Sequence, residues 1–167
     1  GDIAKTFDTT IKGVAVAITM TLAFRVIGAI LFGRLADKFG RKPILIVNIA
    51  FFTLFEVASA LATSLPVFLV IRALFGIAMG GAWGVASALV LETIPSKGRG
   101  IISGVLQSGY PSGYLFASII FGLLHPVLDW RELFVISLVP AVIVLIMLFK
   151  VSESPAWQSN KNIIQKS

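Results

Sequence analysis

Five apolar runs, near 14–32, 44–62, 67–91, 101–124 and 133–149, alternate with short polar interruptions along the chain. Crossing a hydrocarbon core takes about 20 helical residues, and each run approaches or exceeds that. Inside lipid every backbone N–H and C=O must bond within its own segment, so the runs predict helices. The polar–apolar alternation of a membrane barrel strand is not seen. Pro43 and Pro66 stand at helix starts, where a missing N–H costs nothing. Pro111 and Pro140 fall inside the fourth and fifth runs and predict kinks. The fifth run is bulky on every side and predicts a lipid-facing helix. The first, third and fourth runs carry small residues at four-residue spacing. These are Gly76, Gly80, Gly84 and Ala88 in the third, and Gly100, Gly104, Ser108 and Ser112 in the fourth, joined there by Gly109 and Gly113. Such stripes let helices approach closely, and plain packing is the first reading of any one glycine. The pattern predicts one all-α membrane bundle without a linker or a second domain.

Composition agrees. Only 13% of residues are charged against 57% hydrophobic, too few charges for a soluble domain of this size. The net charge of +6 does not point to nucleic acid, because the cations cluster in the interruptions between spans. One side receives Arg34, Lys38, Arg41, Lys42, Lys97, Arg99, Lys150, Lys161 and Lys166. The other receives Lys5, Lys12 and Arg131, offset by Asp2, Asp8, Asp129 and Glu132. The imbalance places the basic segment at 33–43, read as a loop, and the C-terminal end in the cytoplasm of a multi-pass cell-membrane protein. Trp130 and Trp157 fall at span ends, as interfacial aromatics do. Cysteine is absent and His125 is the single histidine, so neither a disulfide framework nor a Cys or His metal cluster is expected. No catalytic residue and no cofactor is assigned, and the chain is not expected to be an enzyme. The polar opening at 1–10 is unlike a cleavable signal.

Three ionisable residues lie well inside spans: Arg25, Glu56 and Arg72. Each costs at least ~2.5–3.5 kcal/mol near the bilayer centre, so each needs a reason. At 1.5 Å per residue, Glu56 and Arg72 both lie roughly 9 Å from the outer ends of their helices. They share a depth and are expected either to neutralise one another structurally or to form a titratable unit for proton coupling. Arg25, roughly 17 Å down its helix, has no partner in sight. An unpaired arginine there suits an anionic substrate or a water-filled cavity. Gln107, Trp83 and Tyr110 are the remaining candidates to line such a cavity, with aromatic packing as the alternative for the last two.

Several motifs carry a resemblance. Gly33-x-x-x-Asp37-Lys38-x-Gly40-Arg41-Lys42 resembles the cytoplasmic connection between helices 2 and 3 of the major facilitator superfamily. Arg72-x-x-x-Gly76-x-x-x-Gly80 resembles its fourth-helix arginine motif, and Glu92-x-x-Pro95-x-x-x-Arg99-Gly100 its helix 4–5 junction. Trp130-Arg131-x-x-Phe134 and Glu153-Ser154-Pro155-x-Trp157 resemble patterns flanking helix six. The five lie in order across 33–157. The resemblance implies that the spans are helices 2 to 6, so that 1–157 is part of a six-helix N-terminal half and 158–167 begins a cytoplasmic central loop. Helix 1 and the C-terminal half of a twelve-helix protein are then missing partners, and this chain alone is not expected to transport.

Within the superfamily, Gly80-Gly81-Ala82-Trp83-Gly84 is similar to proton-coupled metabolite and organic-acid symporters of the sialate and lactate type. Relatives there often carry glutamate where this chain has Ala82, which leaves Glu56 as the candidate proton carrier. The implied function is symport of a small carboxylate by alternating access. A sugar porter is the alternative. A drug–proton antiporter and a non-transporting interaction module rank below it. Gly33, Asp37, Gly40, Arg41, Glu92 and Arg99 are the implied cytoplasmic gate, with Arg41 and Glu92 paired and Arg99 nearby. The expected partners are a small anionic metabolite, protons and the lipid bilayer.

Overall fold

A computed structural model of the chain describes residues 2–164. Eight helices follow in order: α1 (Asp2–Thr6), α2 (Ile11–Phe39), α3 (Arg41–Ala60), α4 (Leu65–Thr93), α5 (Arg99–Leu124), α6 (Trp130–Ile136), α7 (Leu138–Lys150) and α8 (Pro155–Ile164). A 3₁₀ turn at Ser96–Gly98 joins α4 to α5. Four stretches are long and apolar enough to cross a membrane: Ile11–Phe39, Arg41–Ala60, Leu65–Thr93 and Trp130–Lys150. The fourth apolar run is helical as α5, 26 residues long, but its Gly, Ser, Gln and Tyr content keeps it out of that set.

Local chemistry sets the boundaries. Thr10 caps α2 by accepting from the Gly13 N–H. Pro66 opens α4 in its first turn. The basic segment at 33–43 is not a loop. α2 continues to Phe39 and α3 begins at Arg41, so Gly40 alone interrupts the helix, at φ +113°, a conformation open to glycine. α5 runs through Pro111 unbroken. The fifth run breaks at Ser137 instead, because Pro140 has no N–H for the Ile136 carbonyl. Residues 158–164 belong to α8; 165–167, the end of the expected central loop and the site of Lys166, lie outside the described residues.

α2 and α4 form the spine of the bundle. A Cβ on Gly28 would collide with the Ile77 carbonyl, one on Gly76 with the Thr21 carbonyl, and one on Gly80 with the Arg25 carbonyl. The two backbones touch at three levels, which only glycine permits. One core cluster (Phe32, Ala36, Leu45, Val85, Leu89, Leu148) lies toward the basic end. Another (Ala17, Ala62, Phe68, Trp130) lies toward the opposite end. Trp130 is 4% exposed, so it belongs to this core rather than to an interfacial belt. α5 contributes no buried residue, and Gly100, Gly104, Gly109 and Gly113 meet nothing within 4 Å among the described residues.

Candidate functional site

Arg25 sits at the midpoint of α2. Because Gly80 rests against its carbonyl, α4 passes close at this level and sets Ala82 and Trp83 beside the arginine. α3 supplies Phe52, and α5 supplies Gln107, Tyr110 and Pro111. Together with Met79 they line a cavity of about 440 Å³. The four residues singled out for substrate contact (Arg25, Trp83, Gln107, Tyr110) thus share one cavity. Arg25 makes no ion pair or hydrogen bond with another described side chain. The walls are a guanidinium, an amide, a phenol, an indole and apolar surface, a set that can hold a small anion with an apolar body. Arg25, Met79 and Tyr110 also line a second cavity of about 300 Å³, which extends to Val14, Phe68, Arg72 and Phe134. Tyr114, unremarked in the sequence, joins Tyr110 there through a hydroxyl–hydroxyl contact of 3.3 Å. The i, i+4 spacing on one helix was its only signal.

Arg72 is held through Nε and Nη2. Its Nη2 donates to Glu56 Oε2 at 2.8 Å and to Ser59 Oγ at 2.6 Å, and its Nε donates to the same hydroxyl at 3.0 Å. The guanidinium lies 4.2 Å from the Phe75 ring centroid and 4.9 Å from that of Phe134. The side chains of Arg72 and Glu56 are 12% and 16% exposed. The shared depth read from spacing is therefore a contact joining α3 to α4. Asn48, fully buried on α3, has no hydrogen-bond partner for its amide among the described residues. It occupies space freed by Gly81, where a Cβ would come within 2.6 Å of Asn48 Nδ2.

The basic end carries a polar cluster. Arg41 forms an ion pair with Asp37 four residues earlier, and another with Glu92 on α4 at 3.2 Å. Asp37 lies in the last turn of α2, where its own helix dipole disfavours a carboxylate, so Arg41 is its compensation. Glu92 also accepts from Ser154 Oγ at 2.5 Å. Glu153 accepts from the backbone N–H groups of Arg41 (3.0 Å) and Lys42 (3.1 Å), capping α3 where Gly40 has no side chain to do so. Trp157 Nε1 donates to the Asp37 carbonyl at 2.8 Å. Glu153, Ser154 and Trp157 were visible as a motif, yet nothing in their spacing tied them to Asp37 or Glu92. Arg99 does not join the cluster: it opens α5 beyond the 3₁₀ turn and donates to the Ile94 carbonyl at 3.4 Å. Gly33 meets nothing within 4 Å among the described residues, and a cavity of about 620 Å³ lies between the cluster and α8.

At the opposite end, Arg131 donates to the carbonyls of Ala60 and Ala62 (2.8 Å for the latter), closing the C-terminus of α3.

The family model described as Major Facilitator Superfamily matches residues 1–164. The chain is 33% identical over 143 residues to a cis,cis-muconate transport protein of Acinetobacter baylyi, covering 86% of this chain and 35% of that protein. It is 33% identical over 156 residues to the sialic acid transporter NanX of Escherichia coli, covering 92% and 38%. Among solved structures it is similar to the proton:xylose symporter XylE bound to 6-bromo-6-deoxy-D-glucose, with a TM-score of 0.85 and 23% identity over 96% of this chain and 41% of that one. The chain spans about a third of the length of the curated relatives it matches.

Proposed function

The chain belongs to the Major Facilitator Superfamily, and on that premise we propose that it is part of a secondary transporter for a small carboxylate, driven by protons. The carrying observation is Arg25, a guanidinium without an ion pair among the described residues, at the midpoint of a spanning helix in a cavity shared with Gln107, Trp83 and Tyr110. A cation at that depth without a counter-ion among the described residues is offset most simply by an anionic ligand. Aromatic walls from Trp83, Tyr110 and Phe52 suit a carboxylate with a flat, unsaturated body. The names of the muconate and sialic acid relatives support the carboxylate class. Gln107 in the same cavity favours the second reading, a sugar porter, since an amide pairs well with hydroxyls.

In this reading residues 1–157 are part of the N-terminal half, with helix 1 and the C-terminal half supplied by the rest of the polypeptide, and 158–167 begin the central loop. The basic end faces the cytoplasm and serves as half of the inner gate. Asp37, Arg41 and Glu92 hold together while that gate is shut, with Gly33 and Gly40 permitting close approach and a helix break. Their summed contribution stays near a few kcal/mol, or one state would be trapped. Glu56 carries the proton, with Arg72 as the counter-charge that it loses on protonation.

The test is uptake of labelled cis,cis-muconate by proteoliposomes of the whole protein, with lactate, sialate and glucose as competitors. Competition by carboxylates and not by glucose is expected. Competition by glucose alone would favour the sugar reading, and unchanged substrate affinity in Arg25→Gln would sink the anion site.

A further inference from the structure

The smaller of the two cavities that Arg25 borders, about 300 Å³, is also lined by Arg72. Two guanidinium side chains therefore line one volume, and no carboxylate is among its described lining residues. Their spacing follows from the way α2 meets α4. Thr21 Oγ1 donates to the Arg72 carbonyl at 3.1 Å, so Arg72 stands level with Thr21. Arg25 lies four residues further along α2, on the same helix face as Thr21 and roughly 6 Å along the axis. Thr21 lines the cavity as well, in keeping with that shared face. α5 repeats the interval: Tyr110 and Tyr114, also four residues apart, both line this volume.

Arg72 has donors left over. A guanidinium offers five N–H groups. Nε bonds Ser59, and Nη2 bonds Ser59 and Glu56. Nη1 has no hydrogen-bond acceptor among the described residues. Glu56 reaches this arginine from α3 and does not line the cavity. The polar groups of the volume are thus rich in donors, while Met79, Phe68 and Phe134 supply apolar surface.

We infer that Arg72, through Nη1, forms a second anion subsite, so that the ligand held by Arg25 is a dicarboxylate. One carboxylate sits at Arg25 and the other at Arg72, with a short apolar body joining them. This rests on the reading of Arg25 as the carboxylate site and narrows that reading to diacids. Each carboxylate takes charge-assisted hydrogen bonds, the strong kind. The phenols of Tyr110 and Tyr114 are further donors to either end. A monocarboxylate satisfies Arg25 alone. Its other, apolar end lies against the Nη1 donors and strips them of water without replacing it. Arg72 ties α3 to α4 through one edge and meets the ligand through the other.

A matched pair of ligands tests this. trans,trans-Muconate and sorbate share one conjugated diene skeleton and differ in whether the second end is a carboxylate or a methyl group. Both are titrated calorimetrically into the whole protein in detergent at neutral pH. Muconate is expected to bind at least about tenfold tighter, the order that one charge-assisted hydrogen bond supplies. Arg72→Lys keeps a cation for Glu56 but loses the second edge, so muconate affinity should fall at least about tenfold further than sorbate affinity. Glu56→Gln keeps the guanidinium and removes the carboxylate that competes for it, so the preference for muconate should widen. A purely structural Arg72 would instead depress both ligands alike in both variants, and thermal midpoints recorded alongside identify a variant that has lost its fold. Equal affinities in the parent, a full preference surviving in Arg72→Lys, or equal losses for the two ligands in both variants would overturn the second subsite and leave the carboxylate reading standing. Binding of neither ligand, or binding of both undiminished in Arg25→Gln, would overturn the Arg25 site and the second subsite with it.

Discussion

Arg25 and Arg72 sit on the two helices that form the spine of the bundle, both within spanning segments, and they are treated in opposite ways. Arg72 is matched by a carboxylate, a hydroxyl and aromatic faces, all from this chain, so its charge serves to join α3 to α4. Arg25 forms no ion pair or side-chain hydrogen bond among the described residues and borders two cavities, one of which Arg72 also lines. The same side chain joins two helices where the protein supplies it with partners. Where the protein leaves it incomplete, it is a candidate binding group. Burial alone does not tell these roles apart; the count of satisfied donors does.

The largest effect should follow from breaking the completed arginine. Arg72→Met strands Glu56 and should cost about 3–5 kcal/mol, the usual penalty for removing one partner of a buried ion pair. It would be read as a large fall in the thermal midpoint of the whole protein in detergent. A midpoint equal to that of the parent would show that Glu56 finds water or another partner. Adding Glu56→Gln to Arg72→Met removes the stranded charge and should recover a substantial part of that loss. Full additivity of the two losses would mean that they do not interact as the 2.8 Å contact implies.

Arg25→Gln should leave the thermal midpoint nearly unchanged and weaken carboxylate uptake at least about tenfold, worth about 1.4 kcal/mol. Arg25→Lys should retain part of the affinity as a point charge without the planar fork. A variant that unfolds before it loses affinity would move Arg25 into the same class as Arg72. The smallest effect on stability belongs to Asp37→Asn at the basic end. Its side chain is 68% exposed, and exposed ion pairs are worth about 0.2–1 kcal/mol. If that pair belongs to a gate, the variant should change uptake rate while the melting curve stays in place.

Much of this contrast was legible in the chain. The depth of Glu56 and Arg72 could be counted from proline and span ends, and the absence of a carboxylate level with Arg25 could be seen directly. The helices were legible because lipid admits few backbone arrangements. The basic segment was misjudged as a loop because its charges suggested a connection. Arg, Leu, Ala and Lys are good helix formers, however, and only Gly40 breaks the backbone. Trp130 was misread as an interfacial residue because its burial depends on α1, whose docking no periodicity reveals. Arg99 was grouped with Arg41 and Glu92 because it lies near them in a motif. The 3₁₀ turn after Pro95 turns it back onto the Ile94 carbonyl instead.

Apolar run length and cation placement determined from sequence alone that the chain is a helical membrane bundle, since both follow from the solvent that the bilayer provides. The two glycine stripes looked alike in sequence. Only the tertiary structure decided that Gly76 and Gly80 press α4 against α2 while the glycines of α5 face open space among the described residues. It also decided that Arg25, Trp83, Gln107 and Tyr110, drawn from three helices, border one volume. Spacing along a helix fixes the face and depth of a side chain. Which faces meet is set by the packing of all the helices together.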